Sequence, residues 1–161
     1  MKDNIMIRRA KETDQEIIVE LWSDFMSLLQ TKSPHNFPLR SNYIQEYEDI
    51  LNHRFQKDNF LILLAKFNQE SIGYCITCIR YPVSIFEQKP FGQITDLFIR
   101  SEYRGMGAGT ELISRCIDWL QEKKVDQIQI KTLSENKEGI AFWKKNGFTP
   151  SNIRLKKSIN I

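Results

Sequence analysis

Apolar positions along this chain repeat with two different periods, and the changes between them mark out the elements. Ile17, Ile18, Leu21, Trp22, Phe25, Leu28 and Leu29 recur three and four apart, which predicts a helix with one buried face. Thr13 and Glu16 ahead of it have capping-box spacing. The run Ser33-Pro34-His35-Asn36-Phe37-Pro38 breaks that helix, and a second is expected from about Ser41 to Gln56, with Tyr43, Ile44, Tyr47, Ile50 and Leu51 as its stripe. Phe60 to Phe67 and Ser71 to Arg80 then read as strands joined by a turn at Asn68-Gln69-Glu70. A polar, proline-bearing loop from Tyr81 to Gly92 leads to a strand-like run, Ile94 to Ile99. Glu111 to Gln121 is strongly amphipathic and is expected to bury Leu112, Ile113, Cys116, Ile117 and Leu120. Asp126 to Thr132 reads as a fifth strand, Asn136 to Lys145 as the last helix, and Phe148 onward as a closing strand region. Hairpin-paired strands followed by a helical crossover to a parallel partner predict a mixed α/β sheet in one domain spanning residues 1–161.

The chemistry concentrates between the fourth strand and the helix after it. Arg104-Gly105-Met106-Gly107-Ala108-Gly109-Thr110 sets three glycines among small or flexible residues. A bare backbone lets a ligand come close to main-chain N–H groups, and the following helix offers unsatisfied donors and the positive end of its dipole. Strand, bare loop and helix start together form a cradle for pyrophosphate. A nucleotide phosphate loop needs Gly-Lys-Ser/Thr, but Gly109-Thr110 has no lysine. The dinucleotide fingerprint needs G-x-G-x-x-G, and Gly105, Gly107 and Gly109 read G-x-G-x-G. Asp126 lies at about the distance of a ribose-binding acid but opens its apolar run instead of closing it. What remains is R-x-x-G-x-G, carried by Arg104, Gly107 and Gly109, or a tight turn with no ligand.

Composition narrows the class. At 161 residues, 41% hydrophobic and 27% charged, the chain suits one globular domain. A net charge of +3, spread along the chain, gives no footprint for nucleic acid. No signal-peptide core or membrane-length apolar run occurs, so a cytoplasmic location is the default expectation. The three cysteines make no disulfide framework. Cys75 and Cys78 form C-x-x-C on a predicted strand, where they face opposite sides and lack a second pair, so packing and no metal site is expected.

With its surroundings, the R-x-x-G-x-G stretch resembles the GCN5-related N-acetyltransferase (GNAT) superfamily over nearly the whole chain. Ile5 to Ala10 with Thr13-Asp14 is similar to the family's opening strand and turn, and Ser71-Ile72-Gly73-Tyr74 to its third strand. Ile94 to Ile99 leading into Ser101-Glu102-Tyr103-Arg104, then Asn136, Ala141 to Lys145 and Asn146-Gly147-Phe148, complete the set in family order. The resemblance implies central parallel strands that splay apart, with acetyl-CoA between them as cosubstrate and no metal. It implies direct acetyl (or longer acyl) transfer to the amine of a small molecule or peptide, without nucleic acid or membrane, in a protein compatible with a homodimer. The cofactor would be held by Leu97, Phe98 and Ile99 through their main chain, by Arg104, Gly105, Met106, Gly107, Ala108, Gly109 and Thr110, and by Asn136 and Trp143.

Two positions depart from the family's pattern. Many relatives carry glutamate where Gln93 stands, and an amide cannot take a proton. Asp96 is then the remaining ionisable candidate for the base, with loop capping as its alternative. Glu46, Glu48 and Glu87 could act through water or attract a cation. A tyrosine acid is common where Trp143 stands, and an indole N–H does not titrate, so Trp143 would wall the tunnel or fill the core. The resemblance implies that the first two helices, their connecting loop and the Tyr81–Gly92 loop form the acceptor side, where Arg40 could meet an anion while His35 and His53 read as surface residues. A non-catalytic acyl-CoA sensor is the competing function, and an NADH-binding oxidoreductase a more distant one.

Overall fold

A computed structural model describes residues 4–33, 37–85 and 87–160. His35 lies outside the described residues. The chain divides into two compact units, residues 1–131 and 132–161.

The first unit is built on a five-stranded sheet in the order β1-β2-β3-β4-β5. These strands are β1 (Ile5–Arg9), β2 (Phe60–Phe67), β3 (Glu70–Arg80), β4 (Phe91–Ile99) and β5 (Ile128–Ile130). The first four pair antiparallel and β5 joins β4 in parallel, which makes the sheet mixed, as the sequence predicts. Asn68 and Gln69 (φ 46° and 79°) close the β2–β3 hairpin as a two-residue turn with both centres left-handed. β4 begins at Phe91, inside the segment expected to be loop.

Helices cover both faces of the sheet. α1 (Gln15–Lys32) and α2 (Tyr43–Phe55) lie on one. There Ile18, Leu21, Trp22, Tyr47 and Leu51 pack with Ile62, Leu64, Tyr74, Ile76 and Phe98. Trp22 stacks on Tyr47 at 3.9 Å between ring centroids. Ile44 and Ile50, expected in the α2 stripe, are exposed; the helix touches the sheet along the narrower line of Tyr47 and Leu51. Nor do Thr13 and Glu16 cap α1. Thr13 sits within a 3-10 turn (Glu12–Asp14), and Asp14 accepts the Lys11 N–H and two Arg8 bonds, all at 2.7 Å.

α3 (Ala108–Glu122) packs on the other face and buries Leu112, Ile113, Cys116, Trp119 and Leu120. Ile117, expected among them, is half-exposed, and Trp119 takes its place. At about 100° per residue, position 119 lies about 60° from Cys116 and position 117 about 100°. The three cysteines are free and buried, as packing residues; Cys75 and Cys116 meet across the β3–α3 contact at 3.7 Å.

In the second unit, α4 (Lys137–Lys145) is capped by Asn136, whose Oδ1 accepts the Gly139 N–H at 3.2 Å. Trp143 is buried edge-on between Phe142 and Phe148, at 5.1 Å from each. Residues 148–160 form no strand, contrary to the expected closing strand region, and Ile153, Leu155 and Ile159 are exposed. An alternating pattern makes a strand only where a ladder partner supplies the hydrogen bonds.

Candidate active site

The site is built where β4 loses one of its two neighbours. β5 pairs only with Gly92, Gln93 and Ile94. Between the partners Ile76↔Asp96 and Thr77↔Ile94 the register against β3 shifts by one residue, so Thr95 is a bulge. The bulge turns the strand's main chain. Arg100 N–H donates to Ile72 O at 2.9 Å, opposite it in the ladder. Antiparallel alternation then places Phe98 and Asp96 in bonded pairs with Tyr74 and Ile76, and turns the main chain of Leu97 and Ile99 away from β3. On that side β5 is no longer paired. Leu97 and Ile99 are thus the positions that can extend a ligand in strand fashion. Phe98 contributes its ring, stacked on Phe25 at 5.5 Å, while its backbone serves the β3 ladder.

β4 runs directly into the glycine loop. Gly105 and Gly107 have φ of 79° and 91°, and a Cβ at either would meet nothing within 4 Å: the loop is left-handed and open. Gly107 is the N-cap of α3, with no side chain capping it, and the first intrahelical bond is Glu111 N–H to Gly107 O at 3.0 Å. The amides of Ala108, Gly109 and Thr110 therefore have no helical acceptor and face outward with the positive dipole end. α3 begins three residues earlier than the sequence predicts, so Gly109 lies in its first turn. Met106 is exposed in the loop. Arg104 does not point into this mouth with all its donors: its Nε binds Ile99 O at 2.9 Å, and its guanidinium lies 5.9 Å from the Phe98 ring centroid.

Asp96 follows the bulge on the face covered by α2. Thr95 Oγ1 donates to its Oδ2 at 2.7 Å, and Arg54 of α2 donates to the same oxygen at 3.2 Å. Among the described residues Oδ1 has only a 3.5 Å contact from the Tyr74 hydroxyl. The ion pair is largely buried, with side-chain exposures of 20% for Arg54 and 11% for Asp96. Burial, reinforced by the Asp96 charge, pushes the Tyr74 and Tyr47 phenols well up, so both stay protonated and act as donors or spectators. The sequence offered no sign of Arg54, which arrives from 42 residues away. Gln93, three residues before Asp96, holds Arg80 Nε at 2.9 Å. Arg40, expected to meet an anion, pairs with Glu46 at 3.6 Å. Asn136 and Trp143 occupy the second unit, as a helix cap and a buried ring respectively.

Among the described residues no three His, Cys, Asp or Glu side chains gather as metal ligands, and no helix is long and apolar enough to cross a membrane.

An uncapped helix start after a glycine loop, fed by a strand that has parted from its parallel neighbour, suits an extended ligand ending in pyrophosphate. Comparison with known proteins decides the family. The model of the Acetyltransferase (GNAT) family matches residues 18–148. The chain belongs to that family. The uncharacterized N-acetyltransferase YhfO of Bacillus subtilis is 25% identical over 142 residues, 88% of either sequence. Among solved structures, the aminoglycoside 6'-N-acetyltransferase AAC(6')-IG of Acinetobacter haemolyticus superposes with a TM-score of 0.76 at 19% identity, covering 97% of this chain and 99% of that one. AAC(6')-Iy, in complex with the bisubstrate analog CoA-S-monomethyl-acetylneamine, superposes with a TM-score of 0.70 at 18% identity, over 98% and 99%. At these identities the two structures bear on the fold alone. The solved structures show the GNAT fold, the family match makes N-acetyltransferase the enzyme class of this chain, and acetyl-CoA is the family's donor.

Proposed function

We propose that this GNAT protein carries an acetyl group from acetyl-CoA directly to the amine of a small molecule in the cytoplasm. The observation that carries this reading is the half-paired β4 leading into the open, uncapped start of α3. The pyrophosphate would lie on the amides of Gly107 to Thr110. The pantetheine arm would add to β4 along Leu97 and Ile99, beside Phe98, and one outward N–H there would face the thioester oxygen as it gains charge. Met106, Gly105 and Arg104 shape the mouth. Asn136 and Trp143 are assigned to the cofactor on the family resemblance.

In the proposed chemistry, the neutral amine attacks the thioester carbon, the C–S bond breaks, and the thiolate leaves with a proton from solvent. Asp96 is the candidate base. Among the described residues its Oδ1 has no partner closer than the Tyr74 hydroxyl at 3.5 Å, whereas Oδ2 is held by Thr95 and Arg54, so Oδ1 is the oxygen that would take the proton, directly or through a water. The ligated neighbour, whose analog joins CoA to an acetylneamine, supports a small-molecule acceptor in kind.

The test is calorimetric binding of acetyl-CoA, followed by mass spectrometry of a metabolite extract incubated with protein and acetyl-CoA labelled in its acetyl group. Micromolar binding and labelled amides are expected. Binding without any labelled amide would favour an acyl-CoA sensor. NADH binding without CoA binding would overturn the reading altogether.

A further inference from the structure

Two arginines stand near one carboxylate around Cys78, where β3 meets β4, and only one of them is paired with it. Asp96 is answered by Arg54 at 3.2 Å. Arg80, at the end of β3, stands in the same neighbourhood: the Cys78 thiol between them is held up by burial, yet feels Arg80 and Arg54 in one direction and Asp96 in the other. The partner of Arg80 is an uncharged amide. Its Nε donates to Gln93 Oε1 at 2.9 Å, and among the described residues it makes no ion pair. This one bond orients the guanidinium plane on a rigid sheet while leaving both terminal nitrogens unspent. Two parallel N–H groups in a fixed plane match a carboxylate or a phosphate, which accept bidentate bonds. Gln93 and Asp96 lie on the same face of one strand, three residues apart with a bulge between, so their Cα atoms lie within about 10 Å of each other.

We infer that Arg80, oriented by Gln93, is an acceptor-recognition site for an oxyanion, and that the acceptor of this enzyme is an amine carrying a carboxylate or phosphate group. The amine nitrogen would approach Asp96 and the bulge while the anion rests on Arg80. A polycationic amine would instead bring its positive charges against an unbalanced guanidinium. The inference rests on the acetyltransferase reading for the identity of the amine but not for the anion site itself.

The experiment uses linear ω-amino carboxylates of two to six carbons, their amides, and the matching ω-aminoalkyl phosphates. Two readouts are taken: acetyl transfer from acetyl-CoA, and binding of the N-acetylated compounds to the CoA-saturated protein by calorimetry. At least one charged series is expected to exceed its amides tenfold or more in both, and the preferred series distinguishes carboxylate from phosphate. Arg80→Met should erase the preference. Gln93→Glu should do the same, because it gives Arg80 a carboxylate of its own. Amides equal to the acids and phosphates in binding, a preference that survives Arg80→Met, or no binding of any charged compound at millimolar concentration would overturn the site. Transfer to amines with no charge preference would refute the anion site and leave the acetyltransferase reading intact. Preferential binding without transfer would do the reverse.

Discussion

The two halves of β4 share one strand and are put to different uses. From Gly92 to Ile94 the strand is flanked by β3 and β5, and Gly92 lies so close under Leu120 of α3 that a Cβ there would meet its Cδ1 at 2.3 Å. From Leu97 to Ile99 only β3 remains, and the outward main chain runs toward an open glycine loop. The first half holds the layers together. In the second, Ile99 O is taken by Arg104 Nε, but the outward main chain of Leu97 and the Ile99 N–H have no strand partner among the described residues. One bulged residue, Thr95, separates them, and Asp96 stands just past it. A sheet can thus make a binding edge in its interior by releasing one neighbour and turning the released strand by one residue.

Changes on either side of that boundary should separate cleanly. The largest effect is expected at the boundary itself. Asp96→Asn is isosteric but removes the proton acceptor and the charge partner of Arg54, so stability should drop while turnover of the folded fraction falls about 10²-fold, with the acidic limb of the pH–rate profile shifted or lost and its acetyl-CoA binding intact. Retained turnover with an unchanged profile would move the role to water or to the acceptor-side carboxylates. In the paired half, Gly92→Ala pushes a methyl into Leu120 and should cost about 2 kcal/mol of stability, read by denaturant titration. The folded fraction should bind acetyl-CoA as before. Weakened binding with unchanged stability would erase the distinction between the halves.

On the open side, the loop offers a sharper test than its most exposed glycine. A side chain at Gly107 would add backbone strain at φ 91°, confounding charge with folding. Gly109 has no such constraint, because it lies in the first turn of α3, where a carboxylate is compatible with the helix dipole. Gly109→Glu should therefore fold normally and place a negative charge in the pyrophosphate cradle. Acetyl-CoA affinity should drop at least tenfold, about 1.4 kcal/mol. Unchanged calorimetric binding by the folded variant would remove the pyrophosphate from this loop.

The same contrast explains what could be read from sequence. The glycine loop, the β2–β3 hairpin and the α3 stripe are local patterns whose physics acts over a few residues, and they were legible. What is assembled from distant positions was not. The Arg54–Asp96 pair joins residues 42 apart, and the Arg80–Gln93 bond joins residues 13 apart across a ladder whose register is displaced by the Thr95 bulge. Neither the bulge nor the early start of α3 has a composition signal: Thr95 is an ordinary strand residue, and Gly109 and Thr110 are weak helix formers held in the first turn because α3 is anchored by Leu112 and Cys116. The segment after Phe148 failed in the opposite direction, with a legible alternation and no strand.

The smallest predicted effect lies outside both halves and calibrates them. Asp14 ties the end of β1 to the start of α1, away from β4, through two Arg8 bonds and the Lys11 amide. The Arg8 bond, outweighing burial and aided by that amide, holds the Asp14 carboxyl at about 2, against 3.8 ordinarily. A carboxyl lowered on folding stabilises the protein above its unfolded value, and that contribution fades as pH falls through the folded one. With Arg8 one-third exposed, solvent screening leaves the contribution at about 1 kcal/mol. Asp14→Asn should therefore lower stability by about 1 kcal/mol at pH 7, and the gap from wild type should close between about pH 4 and pH 2. Acetyl-CoA affinity at pH 7 should not move. If this substitution altered binding as much as Gly109→Glu, loss of affinity would report general loosening of the first unit, and the open half of β4 could no longer be credited with a binding role of its own.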